Sequence, residues 1–199
     1  MTELANGTYE VSPSKVPVIV THLEMRAPAP LRDIPWPEGV SPRQVEADVV
    51  WYRKVFATVG ADWMWFGRLQ LSHAELADIL ANQDVEIFTL SRDGEDLALL
   101  ELRFQKSGTC QLEYFGLAPS LIGTGAGRGL MNVAIARAWR RDIDCFAVHT
   151  CTVDSPQALG FYIRSGFKVT RRQVEIADDP RLKGLLPRDK AGHFPIITC

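Results

Sequence analysis

The sequence predicts an α/β domain, a sheet flanked by helices, and three observations carry that reading. Apolar residues recur with period two in some segments and with helical spacing in others, and the two kinds alternate along the chain. Alternating glycines, Gly123, Gly125, Gly127 and Gly129, join a strand-like apolar run to a helix-like one. No internal repeat, low-complexity tract or splitting linker interrupts the 199 residues, a length that suits one domain with its own core.

Each element follows from local signals. Residues 16–23 form a short β-prone run, and residues 27–39, with Pro28, Pro30, Pro35 and Pro37, read as an irregular connection. A helix is expected from Ser41: Pro42 suits the first position, Gln44 completes a capping box, and Val40 with Val45 makes a hydrophobic staple. Val45, Val49, Tyr52, Phe56 and Val59 continue at helical spacing, and Gly60 ends the run. After an aromatic stretch the same signature returns. Ser72 and Glu75 form a capping box, Leu71 and Leu76 a staple, and Ile79 and Leu80 complete the face.

Strands are expected at 85–90 and 97–104 around an Arg92-Asp93-Gly94 turn, then at 111–117 after Lys106-Ser107-Gly108. The glycine loop leads into a helix reaching about Arg140. A strand at 145–152, a helix at 155–165, a strand at 167–176 and a last strand at 194–198 complete the chain.

Composition bounds the function. The chain is 46% hydrophobic and 23% charged, as an ordinary globular protein is, and its net charge of −2 argues against a nucleic-acid partner. Cys110, Cys145, Cys151 and Cys199 show no metal-ligand spacing and read as reduced thiols, so no metal is expected. The first residues lack a basic region followed by an apolar stretch, and no apolar run approaches the ~20 residues of a membrane span. A cytoplasmic protein with no membrane partner is expected.

The glycine loop is a phosphate-holding device. Alternating glycines let backbone amides converge on one anion, and the helix behind adds its positive dipole. A P-loop would need Gly-Lys-Ser/Thr, which is absent. A dinucleotide fingerprint would need a sixth-place glycine, where Arg128 or Leu130 stands. A second motif follows, Asp154-Ser-Pro-Gln-Ala158-Leu-Gly-Phe161-Tyr162-Ile-Arg-Ser-Gly166-Phe167. Ser155 reads as a helix N-cap, Pro156 suits the first helical position, and Gly166 is a left-handed stop.

Together the two segments resemble the cofactor half of the GNAT N-acetyltransferase superfamily, over roughly residues 112–167. The strand end Leu117-Ala118-Pro119 and the glycines resemble that family's pyrophosphate loop, with Ile122 where the family usually has Gln or Arg. The second segment is similar to its Asn-x-x-Ala-x-x-hydrophobic-Tyr-x-x-x-Gly-Phe motif. Anchored on Ala158, the family's Asn falls on Ser155, and Asp154 fits only with one residue inserted.

The resemblance implies a mixed, mostly antiparallel twisted sheet of about seven strands in a single domain spanning 1–199. The acceptor side would lie in about 1–84 and the cofactor core in about 85–176. Two parallel strands, ending at Leu117 and Thr152, would splay around the cofactor's pantetheine arm. The implied activity is transfer of acetyl from acetyl-CoA to a primary amine by direct attack through a tetrahedral intermediate. A peptide acceptor or a non-catalytic acyl-CoA sensor is the alternative, and the reading leaves room for a homodimer.

Cofactor contacts are expected from Phe115, Gly116, Leu117, Ile122, Gly123, Thr124, Gly125, Ala126, Gly127, Arg128, Gly129, Leu130, Ser155 and Ala158. An oxyanion donor near Leu117 is implied by the family. Tyr162 stands where the family's acid stands, beside the sulfur. Glu113 is the first base candidate, because period two puts it on one face with Phe115 and Leu117, and pairing with Arg103 is the other reading. Glu101 is the second candidate, and His149 reads as a core histidine. Trp63, Trp65 and Phe66 are expected to shape the acceptor pocket, with Asp62 holding the ammonium of a small amine or amino-acid-like acceptor.

Overall fold

A computed structural model describes residues 4–197. Its strands are β1 (Lys15–Met25), β2 (Ser41–Val45), β3 (Val85–Arg92), β4 (Glu95–Asp96), β5 (Ala98–Phe104), β6 (Thr109–Leu117), β7 (Cys145–Cys151) and β8 (Lys168–Asp178). The helices are α1 (Val49–Gly60), α2 (His73–Leu80), α3 (Ala126–Ala138) and α4 (Ala158–Arg164). They flank one 8-stranded sheet ordered β2-β3-β5-β6-β7-β1-β8, with β4 paired to β3. All pairings are antiparallel except β6 with β7.

The helices divide between the two faces. Val49, Tyr52, Phe56 and Val59 of α1 and Leu76 of α2 pack on Ile87 and Leu99. Leu130, Met131, Ala134 and Ile135 of α3 pack with Tyr162 of α4 on the other face, against Leu100, Leu112 and Phe146. Burying residues of this size contributes about 1.5–3 kcal/mol each.

Four expectations change. The helix expected from Ser41 begins only at Val49, where the Asp48 carboxylate accepts the Trp51 N–H at 2.8 Å. Residues Ser41–Val45 are instead an edge strand, from Ser41 opposite Ser91 to Val45 opposite Ile87. Pro42 is tolerated there because an edge strand can leave a missing N–H facing solvent. The Ser41/Gln44 box and the Val40/Val45 staple therefore do not exist, whereas the Ser72/Glu75 box forms in full.

The helix expected from Ser155 starts at Ala158, after a turn in which the Ser155 carbonyl accepts the Ala158 N–H at 2.9 Å. Residues 194–197 form no strand; Thr198 and Cys199 lie outside the described residues, as do Met1, Thr2 and Glu3. The C-terminal excursion is held instead by buried Arg181. Its guanidinium pairs with Asp179 at 2.8 Å and donates to the carbonyls of Lys190, Ala191 and Phe194.

Candidate functional site

The site is made where the sheet fails to close. β6 and β7 pair from Thr109 opposite Cys145 only as far as Leu112 opposite Val148. There β6 bulges: Leu102 faces Leu112 while Glu101 faces Tyr114, leaving Glu113 as the extra residue. A bulge bends its strand and re-aims side chains. The two strands then diverge around a cleft of about 370 Å³ that runs from the glycine loop to β1 and β8.

At one end the loop is built for an anion. Gly123 (φ 81°) and Gly125 (φ 91°) occupy the left-handed region, which L side chains rarely adopt. Among the described residues the amides of Gly123, Gly125 and Gly127 have no hydrogen-bond partner. Gly125 caps α3 without any side-chain bond, so the helix terminus stays open. Arg128 donates to Ser165 Oγ at 2.7 Å and lies 4.7 Å over Phe161. Burial, together with Arg32 and Arg164, lowers its pKa, and among the described residues none of these three arginines forms an ion pair with a carboxylate. Arg32 reaches this cluster by donating to the Arg164 carbonyl at 2.8 Å.

Ile122, Gly127, Leu117, Gly116, Phe115, Ser155 and Ala158 line the cleft. Thr124 stays in the loop, its hydroxyl donating to Leu121 O at 2.8 Å. Ala126 and Leu130 are buried in the core, and a Cβ on Gly129 would lie 2.7 Å from Trp36. The side-chain positions of these three serve packing against the core.

Glu113 and Tyr162 both line the cleft. The bulge overturns the period-two expectation. Phe115 and Leu117 pack on the α3 side, while Glu113 sits 3.9 Å from Arg103. Burial raises the Glu113 carboxyl and Glu101 adds to the rise, against the lowering pull of Arg68 and Arg103. Tyr162 is raised above an ordinary phenol by burial and by Asp154, so it stays protonated through the neutral range.

Glu101 does not line the cleft. It is fully buried, accepting from Arg68 and from the Tyr52 hydroxyl, which makes it a structural anchor. His149 is not a core residue: it is exposed on β7, lines the cleft, and lies 5.7 Å from the His22 ring. Asp62 is absent from the lining and pairs with Lys190 at 3.0 Å.

Trp63, Trp65 and Phe66 all face the cleft. Trp65 is also structural. Its indole N–H donates to Asp154 at 3.3 Å, and a Cβ at Gly116 would meet its ring at 2.9 Å. Asp154 further accepts from Thr150 Oγ1 at 2.7 Å and from the Cys151 N–H at 2.8 Å. The pinned residue in this turn is therefore Asp154, which matches the family pattern only with an insertion.

Sequence reasoning placed the acceptor side in the N-terminal part and the excursion after Ile176 but named none of the far-wall residues Val16, Val18, Val20, Glu175, Ala177 and Pro180, and it missed Arg32 and Arg164. Alternating valines read as ordinary sheet core. Arginines more than 100 residues apart carry no local signal of meeting.

The model of the acetyltransferase (GNAT) family matches residues 51–167. A GCN5-related N-acetyltransferase from Sphaerobacter thermophilus superposes with a TM-score of 0.59 at 16% identity, over 83% of this chain and 53% of that one. A putative acetyltransferase of the GNAT family from Novosphingobium aromaticivorans gives 0.58 at 14% identity, covering 85% and 70%. A GNAT family acetyltransferase from Elizabethkingia anophelis, with acetyl-CoA bound, gives 0.52 at 15% identity, covering 68% and 80%. This chain thus spans about half the length of the Sphaerobacter protein. A search of curated proteins finds no match. At these identities the structures speak for the fold, and the family match over more than half of the sequence settles membership. The chain belongs to the GNAT acetyltransferase family.

Proposed function

We propose that this protein is an N-acetyltransferase that moves acetyl from acetyl-CoA to the primary amine of a small molecule. One observation carries the reading. Unpartnered loop amides sit at one end of a cleft that passes between splayed strands to a half-buried carboxyl and a buried phenol. The residues fit coenzyme A. The Gly123, Gly125 and Gly127 amides and the α3 terminus suit a pyrophosphate, and the gap between β6 and β7 suits an extended arm.

Acetyl-CoA supplies the activated acetyl group; the chain supplies the rest. Glu113 takes the proton that the ammonium must lose, directly or through a water. Backbone amides of β6 beyond Leu112, released from pairing with β7, are available to polarise the acetyl carbonyl. Tyr162 holds a proton for the departing sulfur. Cys151 lines the cleft, but burial and Asp154 push its thiol up to about 12, which disfavours a covalent relay through it.

A thiol-release assay over a panel of primary amines tests the proposal. Turnover with any amine supports it, and cofactor binding with no turnover across the panel would leave a sensor module in its place. Tyr162→Phe should lower kcat by about 10²-fold, the low end for general acid–base catalysis, with coenzyme A affinity nearly unchanged. An unchanged kcat would remove Tyr162 from the chemistry.

A further inference from the structure

We propose that the acceptor is an apolar primary amine carrying no carboxylate, and that Glu175 on β8 enforces the distinction. The inference rests on the acetyltransferase reading above. It starts from the sign of the charges facing the acceptor end of the cleft. The carboxylates that line it are Glu113, Asp154 and Glu175, and among the described residues no lysine or arginine lines it.

The nearby cations are already committed: Lys183, which lines the adjoining pocket with Glu175 and Phe66, pairs with Asp178 at 3.4 Å. Arg68 is bound to Glu101, and Arg103 faces Glu113. Arg128, Arg32 and Arg164 cluster beside the glycine loop, where they suit the cofactor's phosphates. Asp154 is satisfied by three donors, from Trp65, Thr150 and Cys151. That leaves Glu113, poised for the reacting nitrogen, and Glu175.

Glu175 stands opposite Val18 in the β1–β8 ladder. Directly opposed residues share a face. Its carboxylate therefore flanks the apolar wall of Val16, Val18 and Val20, and it makes no ion pair among the described residues. Met64 packs with those valines, and Trp63 and Phe66 line the same cleft. Such a chamber stabilises an ammonium group by opposite charge and by ring faces while burying a hydrocarbon body. An amino acid would bring its own carboxylate into a site already negative on two sides, with no guanidinium to receive it. Like charges facing one cleft disfavour each other, an expected loss of about tenfold in kcat/KM.

The experiment compares matched pairs that differ only in the carboxylate, tryptamine with tryptophan and phenethylamine with phenylalanine, in the thiol-release assay. Each amine is expected to exceed its amino acid in kcat/KM by about tenfold or more. Glu175 is exposed, so Glu175→Arg should fold normally, as an unchanged coenzyme A titration would verify. In that variant the amine-to-amino-acid ratio should fall by about tenfold or more, with an absolute gain for the amino acid. Equal rates within the pairs, a preference for the amino acids, or a ratio untouched by Glu175→Arg would overturn the proposal. Coenzyme A binding without thiol release from any amine would instead overturn the acetyltransferase reading, and this inference with it.

Discussion

Glu113→Gln should reduce kcat/KM for any accepted amine by about 10²–10⁴-fold while coenzyme A affinity changes little. The substitution preserves shape and hydrogen bonding but removes the proton acceptor in the bulge of β6. The pH profile gives the sharper test. A base works only when deprotonated, so the rate should climb as pH rises through the Glu113 pKa. Burial and Glu101 raise that pKa, which sets the acidic limb above the ordinary glutamate value of about 4.3. Arg103 pulls it down, so Arg103→Gln should move the limb to still higher pH. A limb that persists unchanged in Glu113→Gln would assign the base elsewhere.

Glu101→Ala should produce the largest loss of stability, about 3–5 kcal/mol, read as a fall in the denaturant midpoint at constant slope. The carboxylate is wholly buried between Arg68 and the Tyr52 hydroxyl, and Arg68 is itself 12% exposed. Removing the acid leaves a nearly buried guanidinium without its counter-charge, against a total domain stability of about 5–15 kcal/mol. Glu101→Leu combined with Arg68→Leu should recover much of the loss, since the double change removes both charges together. The pair also couples to the site. Glu101 raises and Arg68 lowers the Glu113 carboxyl, so freeing Arg68 from Glu101 should shift the acidic limb of the rate to lower pH. A loss below about 1 kcal/mol would mean that solvent reaches this pair.

The parts of the site that were legible in the sequence are those specified by neighbouring residues. A loop of alternating glycines between strand and helix needs only local backbone chemistry, and its positive-φ residues occur where the motif places them. The Ser72/Glu75 box is equally local. Ser41 and Gln44 have the same chemistry but belong to a strand, because pairing with β3 outweighs the capping signal even though Val45 and Val49 keep a helical spacing. The orientation of Glu113 was hidden because one extra residue in β6 reverses the alternation on which face assignments rest. Glu175 and the valines of β1 join the cleft only because β8 folds back onto β1, a contact between residues some 150 positions apart. Lys190 neutralises Asp62 from the other end of the chain, which no reading of the aromatic segment alone could reveal.

On the proposed reading, the Gly123, Gly125 and Gly127 amides at the head of α3 hold the pyrophosphate of coenzyme A. Calorimetric titration of the protein and of Gly125→Asp with coenzyme A, NAD and ATP tests it most directly. Micromolar binding of coenzyme A is expected, with much weaker binding of the two nucleotides. A loss of at least about tenfold is expected in Gly125→Asp, where a side chain is forced into a left-handed position and a negative charge is set at an anion site. NAD binding as tightly as coenzyme A, or a Gly125→Asp variant with unchanged affinity, would contradict it.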